Sequence, residues 1–78
     1  MKLPTYSKLA QKIIDRMNSP DKERIEKAIK KLPAGDVRKL KGFTNAYRLR
    51  VGDYRILFDM DSEIIITNIL PRGDAYKN

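Results

Sequence analysis

Two alternating runs flank a glycine–aspartate pair: Tyr47-Arg48-Leu49-Arg50-Val51, then Gly52-Asp53, then Tyr54-Arg55-Ile56-Leu57-Phe58. Alternation with period two is the mark of a strand with one face buried. A two-residue loop with glycine first suits a type II′ hairpin turn. A loop that short also fixes register. Val51 is set opposite Tyr54, Arg50 opposite Arg55, Leu49 opposite Ile56, Arg48 opposite Leu57 and Tyr47 opposite Phe58. One face of the hairpin is then apolar: Tyr47, Leu49, Val51, Tyr54, Ile56 and Phe58. The other gathers Arg48, Arg50 and Arg55. Like charges directly opposite on a sheet are unfavourable, so stability alone does not account for Arg50 across from Arg55.

A third strand follows. Met60-Asp61-Ser62-Glu63 reads as a turn and Ile64 to Leu70 as a β-branched strand ended by Pro71 and Gly73. With Asp61-Ser62 as the loop, Phe58 faces Ile65, Leu57 faces Ile66 and Arg55 faces Asn68. Arg72 shares the parity of Asn68 and emerges beside Arg55, with Tyr76 four residues on. Ile64 and Ile66 fall with Leu57 on the arginine face in this register. Such apolar groups want a cover, such as a partner protein. The arginines read as a polyanion site, or as a solvated face paired with Asp59, Asp74 or Glu63.

The first half has the other period. Tyr6, Leu9, Ala10, Ile13, Ile14 and Met17 follow helical 3–4 spacing, with Thr5 as N-cap. Ile25, Ala28, Ile29 and Leu32 form a second stripe, with Ser19 as N-cap and Pro20 at the first helical position. Pro33 stops it. The short connection predicts an antiparallel helical hairpin. Residues 37–43 read as a short helical turn and then a loop through Lys41-Gly42. The architecture is therefore α+β: a helical hairpin on a three- to four-stranded antiparallel sheet, one domain over residues 1–78.

Charge and composition narrow the chemistry. Of 78 residues, 17 are Lys or Arg and 10 Asp or Glu, for a formal charge of +7, which favours polyanions or acidic partners. Residues 1–46 hold the entire surplus, mostly as lysine. The rest is neutral overall, yet four of its five cations are arginine, the better fork for phosphate oxygens. Histidine and cysteine are absent, which excludes imidazole acid–base chemistry, thiol nucleophiles and their metal sites. Asp59, Asp61 and Glu63 spell D-x-D-x-E, read as a polar turn because a cation loop needs glycine and greater length. No cofactor or metal is expected. The longest apolar run, Ile64-Ile65-Ile66, is too short to span a membrane. No secretion signal is evident, so a cytoplasmic protein is expected.

Leu40-Lys41-Gly42, the run from Tyr47 to Phe58, and Ile69 to Lys77 resemble the RelE/ParE toxins of type II toxin–antitoxin systems. The similarity covers roughly residues 6–77. The resemblance implies a RelE-like toxin that cuts mRNA on the ribosome without metal and inhibits translation. It implies a cognate antitoxin as partner. By position, Arg55 resembles the family's phosphate-binding arginine, Arg48 its basic residue seven positions earlier, Arg72 the arginine that stabilises charge at the reacting phosphate, and Tyr76 the tyrosine of proton transfer or base stacking. Arg55, Arg72 and Tyr76 are the implied catalytic group, with Arg48, Arg50 and Lys41 binding RNA. A ParE-like gyrase poison and a non-catalytic binder of antitoxin or RNA are the alternatives. Relatives usually begin with a longer strand before the first helix. Here that strand is short or missing.

Overall fold

The computed structural model describes residues 3–71. The elements run β1 (Thr5–Tyr6), α1 (Lys8–Asp15), α2 (Ser19–Lys30), β2 (Asp36–Lys39), β3 (Ala46–Val51), β4 (Tyr54–Met60) and β5 (Ile64–Pro71). One five-stranded sheet has the order β1-β5-β4-β3-β2; every pairing is antiparallel except β1 with β5. Helix α1 packs on β5 and α2 on β3, so both helices cover one face.

Local chemistry explains most boundaries, and sheet pairing shifts others. Thr5 is not a helix cap. It pairs with Ile65, and Tyr6 with Ile66, in the two-residue β1. Ser7 caps α1 instead: its Oγ accepts from the Ala10 amide at 3.1 Å and donates to the Thr67 carbonyl at 3.1 Å. One hydroxyl thus starts the helix and ties it to β5. The phase of α1 buries Ala10 and Ile14 and leaves Leu9, expected in the stripe, 52% exposed. In α2 the cap is Asn18 rather than Ser19, its Oδ1 accepting from the Asp21 amide at 3.4 Å. Pro20 still lies in the first turn, where its missing N–H costs nothing.

The central hairpin has the register dictated by its turn, from Val51↔Tyr54 to Tyr47↔Phe58. Gly52 takes the left-handed φ of +56° that this turn requires. Residues 36–39 are a strand, not a helical turn. Gly35 at φ +121° reverses the chain, and Val37 then pairs with Leu49 on the apolar side. The segment is too short and too charged to announce itself. It forms because β3 offers a free edge of hydrogen-bonding groups.

The third strand departs from the expected register. A β-bulge opens between Leu57 and Phe58: Leu57 pairs with Asn68, but Phe58 pairs with Ile66, leaving Thr67 as the extra residue. Its Oγ1 donates to the Leu57 carbonyl at 3.1 Å. A bulge reverses the alternation beyond it. Ile64 and Ile66 therefore turn into the core, 1% and 0% exposed, rather than lying beside Leu57. The core unites Ala10, Ile14, Ile25, Ile29 and Leu32 with Leu49, Ile56, Phe58, Ile64, Ile66 and Ile69. The Tyr47 ring stacks on Phe58, centroids 5.6 Å apart. Among the described residues no helix is long and apolar enough to cross a membrane.

Candidate nucleic-acid interface

The helices lie against one face of the sheet, and register decides what stands on the other. Asp36, Arg50, Arg55 and Leu70 form one row across β2, β3, β4 and β5. Arg38, Arg48, Leu57 and Asn68 form the next. Neighbours within a row have Cβ atoms about 5 Å apart, and successive rows lie about 6.8 Å apart along the strands. Four guanidiniums thus occupy two adjacent rows with, among the described residues, a single carboxylate, Asp36.

Arg48 sits at the centre. The residue is only 8% exposed, the one buried charged side chain among the described residues. Its Nη1 donates to the Asp36 carbonyl at 3.4 Å and lies 3.8 Å from Asp36 Oδ1. Both contacts are long for a guanidinium, whose charge-assisted bonds run about 2.7–2.9 Å. A buried cation with contacts this long has the chemistry to take an anion as a further partner. Arg55 lies in the field of its neighbours. Desolvation, then the charges of Arg48 and Arg50, push its pKa below the usual arginine value, while Asp36 pulls it up. Arginine remains charged at any physiological pH. The proximity matters for ligand binding: an arriving phosphate relieves the mutual repulsion as well as forming new bonds.

The residues singled out from the sequence divide into three groups. Arg48, Arg50 and Arg55 stand together. Lys41 lies in the connection after β2, at the end of β3 opposite Arg50, and is not brought into the two rows. Arg72 and Tyr76 lie outside the described residues, as does Asp74. Asp59 and Glu63 form no ion pair among the described residues; Asp36 holds the carboxylate beside the arginines. Arg38 was not legible as part of the site. Its only signal is the short alternation Asp36-Val37-Arg38-Lys39, with one apolar residue. The apolar side chains of this face are Leu57, Ile65 and Leu70, not Ile64 and Ile66.

Chemically, the face can hold phosphate oxygens on preorganised N–H donors and stabilise negative charge that grows on them. No group of three or more His, Cys, Asp or Glu side chains that could hold a metal ion occurs among the described residues.

Residues 5–76 match the family described as "ParE toxin of type II toxin-antitoxin system, parDE". Toxin RelE3 of Methanocaldococcus jannaschii is 43% identical over 42 residues, a stretch covering 53% of this chain and 48% of that protein. The similarity thus spans about half the length of that relative. The fold superposes on the RelB–RelE antitoxin–toxin complex from Methanococcus jannaschii with a TM-score of 0.77, at 28% identity, over 92% of this chain and 94% of that one. The archaeal RelE–RelB complex from Pyrococcus horikoshii gives 0.71 at 27% identity, over 90% and 93%.

Proposed function

The chain belongs to the ParE toxin family of type II toxin–antitoxin systems, and on that footing we propose that it is a ribosome-dependent mRNA endoribonuclease of the RelE-like branch. The observation that carries the proposal is the double row of Arg38, Arg48, Arg50 and Arg55 on the sheet face away from the helices. A protein that poisons gyrase by contact needs no such convergence of phosphate forks. The similarity to a RelE toxin points the same way.

The reaction needs no metal. The 2′-oxygen of one nucleotide attacks the adjacent phosphorus and the P–O5′ bond breaks, leaving a 2′,3′-cyclic phosphate and a 5′-hydroxyl. Charge accumulates on the non-bridging oxygens in the transition state. Arg48, Arg50 and Arg55 are the groups that stabilise it, with Arg38 holding the neighbouring part of the backbone. By the family resemblance, Arg72 adds charge stabilisation and Tyr76 takes part in proton transfer. A phenol of ordinary pKa, about 10, is a weak base at neutral pH. The ribosome supplies what is missing by holding the mRNA in a reactive geometry. The two solved structures described above are complexes with a RelB antitoxin, which supports a cognate antitoxin as the partner that silences this chain.

The decisive experiment is primer extension on mRNA bound to programmed ribosomes. Wild-type chain produces defined cuts, and Arg55→Ala and Arg72→Ala abolish them while keeping the native circular dichroism. Free RNA is cut slowly. Toxicity with intact ribosome-bound mRNA would refute the proposal in favour of gyrase. Rapid cutting of naked RNA at defined sites would remove the role of the ribosome.

A further inference from the structure

The sheet face away from the helices does not end with the arginines. One step beyond the Arg48–Leu57 row, Ala46 pairs with Asp59 and Asp59 with Ile65. There a cleft of about 340 Å³ opens between the β2–β3 connection and the β4–β5 turn. Phe43 and Ile65 line it, 63% and 39% exposed; they are two of the four large apolar side chains exposed among the described residues. An exposed aromatic ring beside an aliphatic floor, continuous with a cationic sheet face, is the arrangement on which an unpaired base stacks.

The polar rim gives the cleft a chemistry of its own. Asp59, Asp61 and Glu63 border it. Among the described residues no ion pair engages these carboxylates, and they do not converge as metal ligands. Carboxylates only accept hydrogen bonds. A base that enters must therefore bring donors. Adenine, cytosine and guanine each present an exocyclic amino group with two N–H donors; uracil offers only its ring N3–H, flanked by two carbonyl oxygens that a carboxylate repels. The spacing keeps the acids away from the reacting phosphate. The cleft lies about 7 Å along the strands from the Arg48 row and about 14 Å from the Arg50–Arg55 row. The latter exceeds the screening length of about 8 Å at physiological salt. A nucleotide can thus leave its phosphate on the arginines while its base reaches the cleft.

Resting on the RNA-binding reading above, we infer that the Phe43–Ile65 cleft is a base-recognition subsite that takes an amino-bearing nucleobase of the bound RNA and discriminates against uracil. The carboxylate rim also suits a lysine-rich peptide. Continuity with the arginine rows favours the base, and the test separates the two.

The probes are 5′-fluorescein-labelled 2′-O-methyl hexamers of A, C and U, whose blocked 2′-oxygens prevent cleavage, titrated by polarisation in about 50 mM salt. Wild-type chain should bind the A and C hexamers about tenfold more tightly than the U hexamer, the lower range for a hydrogen bond to a charged acceptor. Phe43→Ala should erase that preference by weakening A and C to the level of U. Phe43→Tyr should restore it. Arg48→Ala should weaken all three alike. An unchanged preference in Phe43→Ala, or an equal loss for A, C and U, overturns the inference while leaving the arginine site standing. If Phe43→Ala instead abolishes binding of a lysine–leucine pentapeptide and spares the A and C hexamers, the cleft docks protein and the inference falls. If wild type binds none of the hexamers, the RNA reading fails with it.

Discussion

Deleting a residue from the middle of a core strand normally turns every side chain beyond it to the wrong face. Deletion of Thr67 should not. In β5, Ile64 and Ile66 point into the core and Ile69 does so again, because Thr67 is the extra residue of the bulge. Without it, Ile66, Asn68 and Ile69 alternate regularly, and the pairs Phe58↔Ile66, Leu57↔Asn68 and Ile56↔Ile69 persist in a plain ladder. The cost is two hydrogen bonds, Thr67 Oγ1 to the Leu57 carbonyl and Ser7 Oγ to the Thr67 carbonyl. At about 0.5–1.5 kcal/mol each, the loss is about 1–3 kcal/mol. A chain of 78 residues has about 4–12 kcal/mol of stability in all, so most of the population stays folded. Deletion of Leu57 is the control. It turns Phe58 onto the arginine face and carries Asp59 into the core. Exposing one large apolar side chain loses about 1.5–3 kcal/mol, and burying the carboxylate costs several more. Urea denaturation followed by circular dichroism reads the contrast. With a slope of about 1 kcal/mol per molar, loss of Thr67 lowers the midpoint by about 1–3 M with a native-like spectrum, whereas loss of Leu57 leaves no cooperative transition. If the Thr67 deletion unfolds the chain as the Leu57 deletion does, the bulge is not what sets the faces of β5.

Three further substitutions probe separate parts of the structure. Arg48→Met should leave stability within about 1 kcal/mol of wild type or raise it, because a well-packed apolar group replaces a buried charge with long contacts; phosphate or oligonucleotide binding, measured in parallel, should fall at least tenfold. Tyr54 donates to Asp21 Oδ2 at 2.9 Å, joining β4 to the first turn of α2. That bond, with burial and the charges of Asp21 and Asp53, holds the Tyr54 phenol above its ordinary pKa of 10.0. The stabilisation is fully present below the unfolded value and is lost as pH rises through the raised one. Melting temperatures between pH 9 and 12 should therefore fall more steeply in wild type than in Tyr54→Phe, which starts about 1–2 kcal/mol lower. Gly52→Ala meets two obstacles, a left-handed φ of +56° and the guanidinium of Arg24, which occupies the place of the new methyl group. It should cost about 1–2 kcal/mol, and in a double-mutant cycle Arg24→Ala should recover the steric part but not the backbone part.

The legible features were those encoded over short separations. Arg50 stands across from Arg55 because five residues and a two-residue loop leave no other pairing. The apolar stripes of the helices, and the burial of Ile14, Ile25 and Ile29 beneath the sheet, follow from 3–4 spacing. The family resemblance, carried by the run around the same hairpin, extended the reading from fold to chemistry. Arg38 escaped because residues 36–39 have almost no strand signal of their own. Ser7 displaced Thr5 as cap because a parallel pairing with residues sixty positions away claimed Thr5 first.

By itself the sequence determined the two helices, the central hairpin with its register, and the gathering of Arg48, Arg50 and Arg55 on one face. Each depends on residues close in the chain, where spacing and turn geometry leave few choices. The tertiary structure decided the rest. It made a strand of Asp36–Lys39, brought Arg38 beside Arg48, and buried Arg48 against Asp36. Through a single bulged residue it moved Ile64 and Ile66 from the arginine face to the core. These outcomes turn on which distant backbone edge a segment pairs with, and on how the apolar groups of β5 are best buried beneath the helices, and no local pattern carries that information.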